Sequence, residues 1–452
     1  MREGGLSAPT RHTIKWRDDD FLDEGKLFDE LERVFHLCHG CRRCFNLCDS
    51  FPRLFDLIDQ SPSGELDGVN KADYWSVTDA CTLCDMCFMV KCPYVPPHEW
   101  DLDFPHLMLR ARAVQFKKGE HNKKQAKLGE MDANGPLAVK LSGLANWATK
   151  TDNALTRPIM ERTHGVHRKV NLPQFAQQTC QKRAKEEPIS VNTTAPAAGR
   201  KAVIYATCFG EYNDPDIVLD TRAVLAKNGI AAEIVYPQCC GMPQLEQGDI
   251  ARVADKARAV ALDMKSYVDD GYDIVVPVSS CALMLKFEWP LIEPDDAHVL
   301  ALAQVTFDAS EYMVDIATKE GLADGLEPLA GGITLHIACH VRAQNMGRKA
   351  QALLKYIPDT VTTVIERCSG HGGSWGVMKD HFDTALKIGG PVFRQAKKAE
   401  SAYVVSECPL AHDHVLQGME LQDADVAGPE KALRHPLQLL ARSYGLTKQG
   451  DQ

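Results

Sequence analysis

Residues 38–48 read CHGCRRCFNLC and residues 81–93 read CTLCDMCFMVKCP, so Cys38, Cys41, Cys44 and Cys48 form one array and Cys81, Cys84, Cys87 and Cys92 another. A Cys-x2-Cys-x2-Cys loop suits a cubane because its backbone wraps three corners while the intervening amides point at the sulfides; the fourth thiolate comes from a distance. With 16 cysteines in 452 residues, two more at plus three and plus six follow a given cysteine by chance only about once in 800 times. Here the pattern occurs twice. Zinc also takes Cys-x2-Cys pairs, but four ligands in two pairs leave the third cysteine of each triplet without a role.

The two arrays resemble the halves of a bacterial ferredoxin with two 4Fe-4S clusters. That resemblance implies an exchange of fourth ligands: Cys38, Cys41 and Cys44 with Cys92, and Cys81, Cys84 and Cys87 with Cys48. Pro93 matches the usual ending. Two departures stand out. Four residues precede Cys92 where three are usual, and Asp49 follows Cys48 where proline is common.

The formal net charge of -10 argues against a nucleic-acid binder. Residues 105–170 are the exception, with 13 Lys and Arg against 5 acids, a local net of +8. Leu141, Leu144, Trp147 and Leu155 interleave with these charges, a texture compatible with a solvated connector, with docking of an acidic partner, or with lying on an anionic membrane near a quinone pool. MREGGLSAPTRH carries an acid and two glycines without an apolar core, unlike a signal peptide. The longest apolar run, residues 274–285, contains Pro277 and is too short for a membrane span. A cytoplasmic location is expected, peripheral to the inner face of the cell membrane if the basic segment docks there. In that reducing compartment cysteines serve as metal ligands or reactive thiols rather than disulfides.

The chain changes texture along its length. Residues 1–104 hold both arrays, with a helix expected over residues 21–38 and turn-rich loop over 59–70. Residues 105–200 read as a basic, partly helical connector, its last twenty residues a flexible linker. Strand and helix then alternate. VIYATC, AAEIVYP and IVVPVSSC in residues 201–330, and LHIACH, TTVIERC and AYVVSEC in 331–452, are apolar strands, most of them running into cysteine. Helices are expected over residues 215–229, 250–268, 341–357 and 377–398. Cys208, Cys240 and Cys281 align with Cys339, Ser369 and Cys408 at offsets of 131, 129 and 127, a duplication with drift. The expected fold is α+β: a helical ferredoxin-like domain, then two duplicated α/β units with parallel sheets whose cysteines gather at the strands' carboxyl ends.

Cys208, Cys239-Cys240-Gly241 and Cys281 resemble the cysteine-rich CCG module, whose full form is Cys, Cys-Cys-Gly, Cys-x2-Cys. A second copy reads Cys339-His340, Cys368-Ser369-Gly370 and Cys408-Pro409. With the double array, and with the strings CCGMP, ERCSGHGGSWG, IGGPVFRQ and RHPLQLLA, the chain resembles the iron-sulfur oxidoreductases of the anaerobic glycerol-3-phosphate dehydrogenase and heterodisulfide reductase type. The resemblance implies two cubanes and a noncubane 4Fe-4S cluster at the first module. It implies electron transfer between a flavoprotein dehydrogenase, or another redox protein, and a quinone, thiol or protein acceptor. The alternative it leaves open is an autonomous enzyme of heterodisulfide-reductase type. Met284 stands where the first module's last cysteine belongs, and Ser369 and Ala411 replace cysteines in the second. A cluster is the favoured occupant of the first module, ahead of structural thiols or zinc, and the second reads as cluster-free, half-occupied or a redox thiol site.

His340 and His371 lie beside retained cysteines and read as hydrogen-bonding neighbours more than as ligands. His412 and His414 are expected to be solvated. Gly370, Gly372 and Gly373 form a tight turn that lets backbone approach a cluster, since the strand and helix context of a dinucleotide site is missing. Cys180 reads as a spectator. No flavin or nicotinamide fingerprint is found, so hydride acceptance is expected on a partner.

Overall fold

The computed structural model describes residues 8–422 and 428–447. The expectation about the extreme N-terminus therefore falls in part, over residues 1–7, outside the described residues, as does the tail of the second module over 448–452.

The first array is fed by the helix Glu24–Cys41, three residues later than the sequence suggests. Asp23 caps it by accepting from Lys26 N, and Leu27, Leu31, Val34 and Phe35 form its buried stripe. This stripe packs on the helices Ser50–Asp59, Tyr74–Ala80 and Phe104–Lys118. The Phe51 and Phe104 rings lie 4.6 Å apart. Between the arrays the chain turns through a short 3-10 segment, Leu66–Gly68. The connector folds into the helices Lys123–Leu128, Met131–Lys140, Ser142–Thr149 and Thr156–His164.

Seven strands follow: β1 (Ala202–Tyr205), β2 (Glu233–Val235), β3 (Asp273–Val276), β4 (Thr306–Asp308), β5 (Ile333–His336), β6 (Thr362–Ile365) and β7 (Tyr403–Ser406). They form two parallel sheets, ordered β2-β1-β3-β4 and β6-β5-β7. In each, the module's first strand lies between its second and third, so the duplication read from cysteine offsets is a duplication of topology. All four residues of β1, β5 and β7 are buried, as in a parallel sheet covered on both faces. The three-residue β4 has no counterpart in the second sheet and lies outside the strands expected from the sequence. Among the described residues no helix is long and apolar enough to cross a membrane.

Two expectations need correction. The helix expected over 341–357 is broken into Cys339–Ala343 and Lys349–Leu354, because Asn345 (φ 52°) and Gly347 (φ 77°) turn the chain between them. Residues 181–200 are not a free linker. They begin within the helix Cys180–Glu186, and Asn192 N donates to Ala226 O at 2.9 Å while Ala195 and Ala197 are buried. Small apolar residues let this polar stretch lie flat against the helix Pro215–Lys227.

A buried charge network joins the N-terminal helical region to the first module. Arg11 donates to Asp85 (2.8 Å), Asp103 (2.8 Å) and Glu288 (3.3 Å), and His106 lies 3.4 Å from Asp103 and 3.3 Å from Glu288. Burial works against the Asp103 carboxylate, but His106 and Arg11 hold it down at about 2. Burial and Arg11 likewise oppose protonation of His106, yet Asp103 and Glu288 overcome them and raise its pKa above 6.5. A raised folded value contributes stability that is fully present below about pH 6.5 and is lost as pH climbs through the folded pKa. The melting-temperature gap between the wild-type chain and His106→Gln is therefore expected to be wider at pH 6 than at pH 9. Calorimetric scans giving equal gaps at both pH values contradict this.

Candidate metal centres

The first array closes around a small, partly open pocket lined by Cys38, Cys41, Cys44 and Cys92, with Leu37, Phe51, Phe55 and Tyr94 around them. Cys38 and Cys41 occupy the last turn of their helix, and Arg42 (φ 51°) bends the chain toward Cys44. Burial pushes the Cys44 thiol up to about 12 and that of Cys92 up to about 11. Cys38 is raised further, by burial first and then by Cys92, Cys44 and Cys41. Burial thus opposes bare thiolates at Cys38, Cys44 and Cys92 together. A positively charged iron-sulfide core resolves the conflict by drawing off the thiol protons, so the donor set and the cavity fit a cubane.

The second set is Cys48, Cys81, Cys84 and Cys87. Leu83 (φ 48°) and Asp85 (φ 63°) coil the loop so that its three thiols face one place. The Cys48 thiol is raised by burial, then by Cys84 and Cys81; that of Cys87 by burial, then by Cys84, Cys81, Cys44 and Cys48. The extra residue before Cys92 is absorbed by a π turn, Cys87–Lys91, in which Cys92 N donates to Cys87 O at 2.8 Å. A longer spacing thus delivers Cys92 to the first cavity. Arg112 fastens this array to the first module, donating to Thr78 O (3.2 Å), to Cys81 O and to Glu246 O (2.8 Å).

In the first module Cys208, Cys239 and Cys281 follow β1, β2 and β3 by at most five residues, and Cys240 adjoins Cys239. Cys239 Sγ lies 3.8 Å from Cys208 Sγ, and Cys240 Sγ 3.1 Å from Cys281 Sγ. Thr207, fully buried and β-branched, holds φ 64° just before Cys208, local strain of the kind that accumulates at working sites. Gly241 at φ 85° starts the helix Met242–Gln247 directly after the cysteine pair. Neighbours remote in sequence complete the surroundings. Asp132, from the connector, accepts from Cys239 N (2.9 Å) and Tyr236 OH (2.6 Å) and is paired with Lys256. Trp289 Nε1 donates to Cys240 O at 3.0 Å. None of these carries a sequence signal, because nothing local to Asp132 or Trp289 marks a partner so far along the chain. Met284, where the pattern has a cysteine, is fully buried and fills core.

The second module's Cys339, Cys368 and Cys408 come together as well, and they do so beside the second array. Burial raises the Cys339 thiol, followed by Cys84, Cys368 and Cys408. Burial and then Cys368 push Cys84 up to about 12. Cys408 in turn lies in the electrostatic reach of Cys281. Electrostatic influence thus links the sets pairwise, Cys44 with Cys87, Cys84 with Cys368 and Cys408 with Cys281. The glycines form a tight turn. Gly370 and Gly372 have φ of 81° and 59°, and a Cβ at Gly372 would lie 2.9 Å from Thr82 of the second array. His340 Nδ1 sits 2.8 Å from Ser280 Oγ. His412 and His414 are not solvated: they are 1% and 5% exposed, because the helix Pro409–Glu420 turns both inward. Cys180 is a core residue with Sγ 4.0 Å from Pro215 O.

Since Trp289 is fully buried and ties down the Cys240 carbonyl, Trp289→Ala is expected to cost about 3–5 kcal/mol. Denaturant unfolding measures this, and a loss below about 1 kcal/mol contradicts the packing described.

A family model described as the cysteine-rich domain CCG matches residues 202–286 and again 333–412. Over 357 residues the chain is 23% identical to the C subunit of anaerobic glycerol-3-phosphate dehydrogenase from Escherichia coli strain K12, covering 76% of this chain and 82% of that protein. The same protein of Escherichia coli O157:H7 matches to the same extent. The chain is thus a protein with two copies of the cysteine-rich CCG domain, similar over most of its length to part of a dehydrogenase.

Proposed function

We propose that this protein is the iron-sulfur electron-transfer subunit of an oxidoreductase complex. Its catalytic step lies on a partner, a flavoprotein dehydrogenase or another redox protein, and its electrons go to or come from a quinone, thiol or protein acceptor. The observation that carries the reading is the set of four cysteines around one pocket, three of which, Cys38, Cys44 and Cys92, are opposed by burial as bare thiolates. When bound, iron-sulfur clusters supply one-electron storage. The residues do the rest. Cys38, Cys41, Cys44 and Cys92 hold one cubane, and Cys48, Cys81, Cys84 and Cys87 the other; Cys208, Cys239, Cys240 and Cys281 hold a noncubane cluster. Phe51, Phe55 and Leu102 exclude water at the first cavity, and Arg11 offsets the Asp85 charge within the second array. Similarity to one component of a multi-subunit dehydrogenase supports a redox partner. Met284 and Ala411 in place of cysteines disfavour autonomous substrate chemistry at either module.

Anaerobically purified protein is expected to contain roughly eight irons from two cubanes and up to about four more from the first module. Cys84→Ala should remove one cubane EPR signal, and Cys240→Ala should spare both cubanes while removing a module signal. Dye reduction should require an added flavoprotein dehydrogenase. Stoichiometric zinc, with no EPR signal after dithionite, overturns the reading.

The connector supports a peripheral location at the inner face of the cell membrane. Leu137, Leu141, Leu144, Trp147, Leu155 and Ile159 are all exposed, between 49% and 73%, within one stretch of a locally basic segment. Apolar side chains among lysines suit an anionic bilayer surface. Replacing Lys117, Lys118, Lys123 and Lys124 together by Gln is expected to weaken co-sedimentation with phosphatidylglycerol vesicles and to flatten its salt dependence. Unchanged binding reduces the segment to a connector.

A further inference from the structure

Asp85 stands between Cys84 and Cys87, a carboxylate inside the loop of the second array. It is 4% exposed, and its φ of 63° fixes its place in that loop. Asp103 lies nearby, at the start of the helix Phe104–Lys118. Both carboxylates reach the thiols of the array. Burial raises the Cys81 thiol first, and Asp85 and Asp103 raise it further while Arg112 opposes them. An electron added to a cluster there would meet the same repulsion as a thiolate, since net charge and hydrogen bonding around a cluster set its potential.

Arg11 meets this charge with its whole guanidinium. Nη1 and Nη2 donate to the two Asp85 oxygens at 3.0 and 2.8 Å, and Nε and Nη2 donate to those of Asp103 at 2.8 and 3.1 Å. Nη1 also reaches Glu288 at 3.3 Å. The group lies 4.5 Å from the centre of the Phe88 ring, and Phe88 follows Cys87. Burial works against the Arg11 charge, yet Asp85 and then Asp103 outweigh it and raise the pKa above the ordinary arginine value. The ion pair of Asp85, among the described residues, is with Arg11, whereas His106 pairs with Asp103 and Glu288. Nor is this side chain needed to hold its own segment. Thr10 N donates to Pro96 O at 3.0 Å and Ile14 N to Leu291 O at 2.8 Å, so backbone bonds anchor the chain on both sides of Arg11. A side chain 12% exposed, with five donor contacts to carboxylates and an independently anchored backbone, is placed to supply charge.

We infer that Arg11 is a positioning residue that raises the reduction potential of the cluster held by Cys48, Cys81, Cys84 and Cys87, by fixing and neutralising Asp85 within its loop. The inference rests on the iron-sulfur reading above. In the step concerned, one electron passes from the redox partner to the cluster. No bond is made or broken, and the guanidinium keeps its proton. Its fixed positive charge offsets the carboxylate that the incoming electron would otherwise face.

The test is an EPR-monitored redox titration of the full-length chain, purified anaerobically, at fixed pH and salt. The second centre is identified as the signal lost in Cys84→Ala. Arg11→Gln, which removes the charge, should favour its oxidised form about tenfold, a downward shift of about 59 mV for one electron. Arg11→Lys keeps the charge and should keep most of the potential. Asp85→Asn should shift the midpoint upward, and combining it with Arg11→Gln should bring the midpoint back toward that of the wild-type chain. An unmoved midpoint in Arg11→Gln, or an equal drop in Arg11→Lys, overturns the inference. Should Arg11→Gln fail to assemble the second centre, Asp85→Asn decides, and an unchanged or lowered midpoint there overturns it. Missing cubane signals in the wild-type chain would instead bring down the iron-sulfur reading itself, so the two failures are distinguishable.

Discussion

The rest of the structure depends on one electrostatic constraint: thiols crowd together at places where burial and their neighbours oppose the ionisation of most of them. Burial raises Cys38, Cys48, Cys87 and Cys339 far above the ordinary thiol range, and each is raised again by its neighbours. A fold that gathers such groups is stable as thiols and becomes anionic only when positive charge enters among them. The loops around the sets obey this demand. Leu83, Asp85 and Arg42 accept left-handed backbone so that side chains point inward, and the glycine turn at 370–373 brings main chain against the second array where a side chain would collide.

Gathering these sets also requires domains of different construction to keep a fixed relation. Arg11, Asp85, Asp103, His106 and Glu288 form a mostly desolvated network across the N-terminal helical region and first module, and breaking one member of such a group strands its partners. Arg112 repeats the device with backbone carbonyls, gripping the second array and the helix Met242–Gln247 together. Gly248 (φ 82°) permits the close pass, since a Cβ there would lie 2.4 Å from the backbone of Arg112. Charge and shape thus hold one array close to both modules.

Local rules carry the reading of the sheets and fail where long-range packing decides. Apolar β-branched runs before cysteines predict six strands, and parallel pairing follows from their alternation with helices. The three residues of β4 are too few for a periodic signal. The break at Asn345 to Gly347 is hidden because a helical texture continues on both sides. His412 and His414 look like surface residues in a polar stretch, yet the helix phase set by β7 turns them into the interior. The linker at 181–200 has the composition of a free chain, but its alanines find a surface to cover.

Residue spacing by itself determined the two cysteine arrays, the duplication and the placing of cysteines at the carboxyl edges of parallel strands, because each is written in the order and spacing of residues along the chain. Only the tertiary structure decided which sets are neighbours. It brought Cys84 to Cys368 and Cys408 to Cys281, and gave Asp132 to the first module. These relations join residues separated by tens to hundreds of positions. They are fixed by how the domains pack, and no local pattern records that packing.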